Sequence, residues 1–419
     1  MDQHAPHTLE ITTSGHTPRH CLSLGMGVES VAILMRWIHE PHSRDFDLDD
    51  LVVISAMTGD EFASTATDME DIVLPAMRDA GIRYVQVGRN RLHTTKSGDG
   101  ATVFSDTTTP TRLYIDGDYS LSAELLSAGT LPQLGGARKC SARAKGAVLD
   151  AIIARITAGQ PFQHYIGFHT GEMTRVRRDQ AYNTALRTGR YPLLDWGWSR
   201  TDAADYLRRT TGRAFTKSCC TYCPFALATA TGRTNTLERY RREPDAGARA
   251  LFVEHVSLCL NPRQGLMGDQ RLVDTVATAG LTEVLTRFHH KIETTEHAIY
   301  EVRRIARPRT GASPMIARSV RRCTPAPARP CTTNSPHCPA AQSSQPTASP
   351  EWSYANATTP PGGPSSSTSP HPTWSPTNNA PSSNPGGHTP PNPCSCSPCE
   401  EDTPATTHPR QNTAHPPTG

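Results

Sequence analysis

A run of small and hydroxyl-bearing residues at 23–30, Ser-Leu-Gly-Met-Gly-Val-Glu-Ser, has the composition of a phosphate-binding loop. Its glycines let the backbone approach an anion closely. An apolar run at 20–24 precedes it and an amphipathic run at 28–40 follows, which predicts a strand, a loop and a helix N-terminus. The free N–H groups of such a terminus bind anions. The run matches neither GxxxxGK[ST] nor GxGxxG. We expect phosphate to contact Ser23, Gly25, Gly27 and Ser30.

Cysteines at 219, 220 and 223 form the string Cys-Cys-x-x-Cys, whose last two members have the spacing of metal-binding or redox-active thiols. Cys140 is the candidate third ligand. Thiolates from Cys140, Cys220 and Cys223 with one open coordination position would suit an iron–sulfur cluster that handles sulfur. A zinc site completed by Cys219, Cys259 or a histidine is the alternative, and redox-active or reduced structural thiols remain open.

Short apolar runs alternate with helical patterns in the first part of the chain. The strands and helices that they predict must position the loop at 23–30 and the cysteines. The order predicts an α/β fold with an open, mostly parallel twisted sheet and flanking helices. The predicted strands are 20–24, 51–56, 83–87 and 163–168, and the predicted helices are 28–40, 65–80 and 142–157. Residues 89–135 are predicted to form an insertion over the site.

The pattern after residue 190 becomes mainly helical. A short extended segment is predicted at 191–196, before a helix at 202–210. Further helices, which would form a C-terminal annex, are predicted near 234–242, 246–258, 269–279 and 281–306.

Composition changes sharply near the C-terminus. Residues 321–419 contain no Leu, Ile, Val, Phe or Met and hold 23 of the 36 prolines. Such a segment has too little apolar surface to offset the entropy of ordering. The sequence therefore predicts a flexible N-terminus at 1–19, a nucleotide-binding α/β domain at 20–225, a helical annex at 226–306 and a disordered tail at 307–419.

The charge balance does not by itself demand a nucleic-acid partner, since 42 basic and 39 acidic residues give a net charge of +3. Arginines cluster at 175–178, 239–242 and 303–309, which is compatible with a polyphosphate or nucleic acid. No apolar leader lies in 1–19, and no run approaches 18 apolar residues. We expect a cytoplasmic protein without a membrane span, in which disulfides are disfavoured. The pattern does not indicate an oligomeric state.

Six motifs in one order resemble the phosphoadenosine phosphosulfate (PAPS) reductase-like branch of the PP-loop ATP pyrophosphatase superfamily, whose members are similar to adenine nucleotide alpha hydrolases. The loop at 23–30 has Met26 and Glu29 where the family usually has Gly and Asp. The E-C-G-x-H string of the assimilatory reductases is absent from the chain. The other five motifs are Ile54–Glu61, Arg138–Lys145, Ile166–Arg175, Tyr191–Trp198 and Lys217–Phe225.

The resemblance implies roles for particular residues. Arg138 and Lys145 would neutralise charge at a scissile phosphoanhydride, and Glu172 and Arg175 would orient phosphate or substrate. It also places Thr58, Gly59 and Asp60 near the nucleotide. The implied cofactors are ATP or a related adenine nucleotide, with Mg²⁺ and an iron–sulfur cluster or zinc as further candidates.

Three functions are compatible with these residues. The leading hypothesis is an enzyme that cleaves ATP between its α and β phosphates to activate an unidentified acceptor, in a sulfur-transfer reaction. The first alternative is reduction of a sulfonucleotide such as PAPS. The second is a catalytically inactive accessory protein that binds a nucleotide or a nucleic acid.

Overall fold

The computed structural model describes residues 11, 16–91, 94–95, 99–134, 139–322 and 352–354. These residues all lie within one compact unit, Met1–Pro361. The predicted flexible N-terminus is described only at 11 and 16–19, and the predicted tail only at 307–322 and 352–354. The remainder of both segments lies outside the described residues.

In the part of the chain that the structure describes, six strands form one sheet in the spatial order β4-β3-β2-β1-β5-β6. Strand β4 pairs antiparallel with β3 at one edge, and all other pairings are parallel. The predicted α/β fold with a mostly parallel sheet is therefore confirmed. The strands are β1 (His20–Ser23), β2 (Leu51–Ala56), β3 (Arg83–Arg89), β4 (Ala101–Thr107), β5 (Phe162–Tyr165) and β6 (Arg187–Arg190).

Helices flank the sheet and build the C-terminal annex. None within the described ranges combines the length and apolar character needed to cross a bilayer. The π-helical turns Met69–Val73 and Ala142–Gly146 join α2 to α3 and α5 to α6. The helices are α1 (Val28–His39), α2 (Ala63–Asp68), α3 (Leu74–Asp79), α4 (Leu121–Ala128), α5 (Lys139–Ser141), α6 (Ala147–Ile156), α7 (Met173–Gln180), α8 (Pro192–Asp195), α9 (Arg200–Thr211), α10 (Pro224–Leu227), α11 (Ala230–Arg242), α12 (Pro244–Leu260), α13 (Leu272–Thr278) and α14 (Thr282–Glu293).

Successive side chains of the central strands enter two apolar cores, one on each face of the sheet. Leu22 and Val53 enter a core with α1, α3 and α9, whereas Cys21, Val52 and Ile54 enter a core with α6. Successive side chains of a strand point to opposite faces, so an apolar run without polar interruptions suits a strand covered on both sides. All six residues of β2 are buried for this reason.

The strand order reverses at β1, which lies between β2 and β5. In open parallel sheets, the carboxyl ends of the strands beside such a reversal diverge and leave a crevice that binds ligands. Strand β1 ends at Ser23 and β5 ends at Tyr165. The predicted phosphate loop therefore begins at the mouth of this crevice.

The annex shares an apolar core with the α/β part of the chain, which joins Tyr240, Leu251 and Phe288 to Tyr222 and Phe62. It differs from the sequence prediction after α14. The predicted helix at 281–306 is wrong beyond Glu293, since the chain leaves the helix at the C-cap Thr294 and is extended from Ile299.

An antiparallel hairpin of β7 (Ile299–Arg309) and β8 (Ala312–Arg322) follows the annex helices instead. A third strand, β9 (Trp352–Tyr354), pairs with the other edge of β7. Gly311 has φ +69° and allows the tight turn between β7 and β8. The predicted tail therefore begins within a strand at 307–322.

The predicted extended segment at 191–196 is also wrong, because it contains the short helix α8. Pro192 occupies the first helical position, where its fixed φ and missing N–H are tolerated. The N–H groups of Leu194 and Trp196 donate to Tyr191 and Pro192. The local turn therefore decides the conformation.

A buried carboxylate joins the sheet to the annex. Asp60 accepts hydrogen bonds from the backbone N–H of Ser122 at 2.6 Å, its hydroxyl at 2.7 Å and the Tyr222 hydroxyl at 2.7 Å. Arg249 of α12 lies 3.3 Å from the same carboxylate. The loop after β2 is thereby fixed to α4, to the cysteine segment and to α12.

Substituting Asp60→Asn should lower the free energy of unfolding by about 2–4 kcal/mol, because the amide NH2 would face the donors that the carboxylate accepts. Chemical denaturation measures the change. The control is Asp205→Asn, on the exposed face of α9, which should unfold like the wild type. Equal stability of both variants would show that the Asp60 bonds do not hold the junction.

Candidate functional site

The loop at 23–30 has the geometry of an anion site. The N-cap of α1 is Gly27, so no side chain caps this helix and its first N–H groups face the crevice. The Gly25 N–H donates to Ser30 Oγ at 3.0 Å, which closes the loop on itself. Gly167, just after β5, backs on the loop so closely that a Cβ there would lie 2.9 Å from the Ser30 nitrogen.

Met26 adopts a left-handed conformation, with φ +59°, although it carries a side chain. Only 3% of it is exposed, and it packs in the core beneath α1. L residues avoid this region because Cβ crowds the following carbonyl, whereas glycine enters it freely. The backbone at position 26 therefore has a conformation that favours glycine, and burial of the methionine side chain offsets the strain.

Two neighbouring cavities open at the loop. One, of about 360 Å³, is lined by Ser23, Gly25, Gly27, Ser30 and Thr58 and by the four cysteines of the sequence prediction. Its charged lining consists of Lys145, Arg175, Arg200, Lys217, Glu29 and Glu172. The other cavity, of about 920 Å³, shares Ser23, Gly25, Lys145 and Arg175 with the first and adds walls from Leu149, Ile153 and Phe162. The basic lining exceeds the acidic lining beside the loop.

Glu61 organises the floor of the smaller cavity, and sequence reasoning gave it no role. Its buried carboxylate accepts hydrogen bonds from the Thr58 hydroxyl at 2.9 Å and from the backbone N–H groups of Thr58 and Asp60. Lys145 Nζ lies 3.2 Å from Glu61 Oε1. Thr58 and Lys145 are thus brought together at the cavity, with the ammonium held at its edge.

Gly59 and Asp60 do not line either cavity. Gly59 has φ +78°, and a Cβ there would lie 2.7 Å from the Tyr119 carbonyl, so it serves a tight turn. The Asp60 carboxylate points away from the cleft toward Ser122 and Tyr222. Adjacent side chains of this extended segment point to opposite sides, so Glu61 lies buried beneath the cavity against Thr58 and Lys145, whereas Asp60 faces Ser122 and Tyr222.

Glu172 and Arg175 meet at the rim. They form an ion pair one helical turn apart, and the Arg175 guanidinium lies 4.3 Å from the Phe168 ring centroid. Glu29 is paired across the loop with Arg200 at 2.9 Å, which neutralises a carboxylate that would otherwise repel phosphate. Arg138 lies outside the described residues.

The cysteines converge on the smaller cavity as predicted, since Cys140, Cys219, Cys220 and Cys223 all line it. A hydrogen bond from the Cys220 thiol lowers the pKa of Cys223, with help from the backbone N–H groups of Ala226 and Phe225. That hydrogen bond and burial raise the pKa of Cys220. Burial raises the pKa of Cys219 to about 11. Cys223 is the thiol most easily ionised of these three.

The described residues contain no group of three or more His, Cys, Asp or Glu side chains arranged to hold a metal ion. The metal role of Cys140, Cys220 and Cys223 stays a prediction.

A chain of hydrogen bonds runs from the loop across β5 and β6. Ser23 Oγ lies 2.7 Å from His164 Nε2, and Arg187 Nε donates to His164 Nδ1 at 2.9 Å. Asp179 holds the Arg187 guanidinium through two bonds of 2.8 and 3.0 Å, and the Tyr191 hydroxyl donates to Asp179 at 2.7 Å. Burial, reinforced by Arg187, lowers the pKa of His164 to about 4.

Sequence reasoning found the loop and the cysteines but missed four residues that complete the site. Lys217 and Glu61 lay inside recognised motifs without an assigned role. The signal for His164 was its place on a parallel neighbour of β1, where it pairs with Cys21 and therefore shares a sheet face with Ser23. Arg200 had no local signal, because its partner Glu29 is distant in sequence.

The strain at Met26 is tested by two substitutions. Met26→Gly and Met26→Ala both remove the buried side chain and should destabilise the protein by about 2–4 kcal/mol. Gly should be more stable than Ala by about 1 kcal/mol, because only Gly relieves the left-handed conformation. Thermal or urea denaturation measures the difference.

The matched control is Ala32→Gly in the middle of α1, where glycine should be the less stable residue by about 1 kcal/mol. If the Ala protein were more stable than the Gly protein at position 26, as is expected at position 32, the backbone strain at Met26 would be contradicted.

The burial of His164 predicts an acid-sensitive fold. Its pKa is lowered from 6.5 to about 4 in the folded protein, so the unfolded chain binds a proton first as the pH falls. The contribution of His164 to the free energy of unfolding is fully present above pH 6.5. It falls by up to about 3 kcal/mol as the pH drops toward about 4. Urea denaturation of His164→Gln over this range should show a shallower dependence on pH. Equal slopes in both proteins would contradict it.

Comparisons with models of protein families, with curated proteins and with solved structures found no match to this chain. The case for a function rests on the residues around the cleft and on the motif resemblance.

Proposed function

We propose that this protein is an enzyme that binds ATP or a related adenine nucleotide at the 23–30 loop, cleaves it between the α and β phosphates and thereby activates an acceptor, in a sulfur-transfer reaction. The observation that carries the proposal is the uncapped N-terminus of α1 at the strand-order reversal, opening into a cavity with a basic lining. The choice of adenine and of α–β cleavage follows from the motif resemblance.

The two cavities suit the two halves of a nucleotide. The smaller one has the loop glycines and serines together with Lys145, Arg175 and Lys217, which favour phosphates. The larger one adds apolar walls from Leu149, Ile153 and Phe162, which favour a nucleoside. Because both include Ser23 and Gly25, one ligand extends from one cavity into the other.

Lys145 is the candidate for stabilising charge at the scissile bond. Its ammonium reaches the cavity and pairs with Glu61, whose carboxylate is fixed by Thr58. A positioned cation in a site shielded from water stabilises developing negative charge without further reorganisation. Arg175 stands at the rim, where its pairing with Glu172 can be exchanged for phosphate.

The thiols supply the chemistry that would follow activation. Cys223 and its hydrogen-bonded neighbour Cys220 line the same cavity as the loop. A thiolate is the reactive form of cysteine, and the lowered pKa of Cys223 favours it. Sulfur transfer also needs a sulfur donor, so Cys223 would take the terminal sulfur of a persulfide, whose thiol leaves, and hold it beside the activated acceptor.

The test is pyrophosphate release from ATP by the purified protein, measured with and without candidate acceptors such as transfer RNA and small thiols. Lys145→Met should slow release by about 10²-fold, measured at a temperature where the variant stays folded, because the change also leaves the buried Glu61 carboxylate without its cation. Lys291→Met, a lysine on α14 away from both cavities, is the control and should release pyrophosphate like the wild type.

Two other outcomes would select the alternatives. Release of sulfite from PAPS, with no pyrophosphate from ATP, would identify a sulfonucleotide reductase. Nucleotide binding without turnover of either substrate would identify an accessory binding protein. A wild type that neither binds nor cleaves any of these nucleotides would overturn the proposed function.

A further inference from the structure

We infer that His164 is locked as a hydrogen-bond donor to Ser23, so that the Ser23 hydroxyl can only donate to the group bound at the loop and selects an oxyanion there. The inference rests on the proposed phosphate site and extends it to residues outside the loop. It assigns a positioning role to His164, Arg187 and Asp179.

The first step is the state of the His164 ring. A guanidinium has only donors, so Arg187 Nε, at 2.9 Å, must donate to an unprotonated Nδ1. The proton of the neutral ring is therefore on Nε2. Arg187 cannot turn away easily, because Asp179 takes its terminal nitrogen through two bonds and the Asn183 side chain takes the other at 3.1 Å.

The second step is the direction of the Ser23 hydroxyl. The Nε2–H of His164 points at Ser23 Oγ over 2.7 Å, so that oxygen accepts from the ring. The Ser23 hydrogen must then point elsewhere, and Ser23 lines both cavities at the loop. A ligand oxygen that carries no hydrogen satisfies it, whereas a ligand donor would face another donor.

The same polarity excludes a different role for the pair. A serine that attacks a substrate needs a histidine with an unprotonated nitrogen facing its hydroxyl, and usually a carboxylate behind the ring. Here a cation lies behind the ring and the proton faces the serine. Ser23 and His164 are thus built to bind an anion and not to act as nucleophile and base.

The surroundings keep the ring neutral. Arg187 on β6 faces it directly, and Asp179 on α7 pairs with that arginine. Asp150 on α6 and the buried Cys21 on β1 also lie within electrostatic range of Arg187. Burial and the arginine charge outweigh the attraction of Asp179, so His164 titrates far below physiological pH. The His164 Nε2–H therefore remains a donor to Ser23, with the ring neutral, at physiological pH.

A matched pair of substitutions tests the donor. His164→Gln places an amide N–H near the position of Nε2 and should keep the affinity for ATP and inorganic pyrophosphate within about 3-fold. His164→Leu removes the donor and should weaken both by about 10-fold, the effect of one hydrogen bond in a charged network. The control is His20→Gln, a buried histidine at the opposite end of β1 that bonds Tyr165. Isothermal titration calorimetry measures the affinities.

Nitrogen NMR of protein labelled at its histidines reads the tautomer directly, and His164→Gln identifies the signal. We expect a protonated Nε2, an unprotonated Nδ1 and titration near pH 4. In Arg187→Met the same signal should titrate at a higher pH.

The outcomes separate this inference from the proposed function. A protonated Nδ1, or equal affinity of His164→Leu and the wild type, would overturn the locked donor while leaving the phosphate site intact. A wild type that binds neither ATP nor pyrophosphate would overturn both the phosphate site and the oxyanion selectivity built on it.

Discussion

The cleft depends on how two adjacent buried carboxylates are satisfied. Asp60 and Glu61 follow β2 in an extended turn, and neither could remain charged in the interior without partners. Glu61 takes the Thr58 donors and Lys145, whereas Asp60 takes Ser122, Tyr222 and Arg249. One carboxylate thus shapes the floor of the cleft, and its neighbour fastens that floor to the annex. The isolated bridge between Glu61 and Cys220 completes the connection.

The cleft also shows what local sequence signals can and cannot specify. The strand–loop–helix unit at 20–39 was predictable because its apolar periods, glycines and serines are contiguous. The convergence of Cys140 with the 219–223 cysteines followed from motif order. Asp60 was predicted beside the nucleotide because its motif lies at a strand end, yet alternation turned its side chain to the annex. The hairpin at 299–322 was missed because its arginine-rich strands resemble the exposed face of a helix until the pairing is known.

The loop and the hydrogen-bond chain behind it both orient hydrogen-bond donors at the cavity. Gly27 leaves helix N–H groups uncapped, the Ser30 hydroxyl closes the loop, and Ser23 is oriented from behind by His164. The positive charges of Arg187 and Lys145 are each paired with a carboxylate, Asp179 for the arginine and Glu61 for the lysine. Nearby carboxylates limit the net charge of the site, so its attraction for an anion comes mainly from oriented donors.

The contact between Asp60 and Tyr222 joins residues 162 positions apart, and that with Arg249 joins residues 189 apart. During synthesis, β1, α1 and β2 leave the ribosome long before the segment that closes the cleft. Asp60 cannot form its hydrogen bonds until Tyr222 and Arg249 have been synthesised. The floor that it shares with Glu61 therefore becomes ordered only when the annex has packed against it. An emerging chain would therefore carry the 23–30 loop above an incomplete floor, and the proposed nucleotide chemistry would require that the annex has folded. Such dependence on contacts between residues distant in sequence makes the last stage of folding slow.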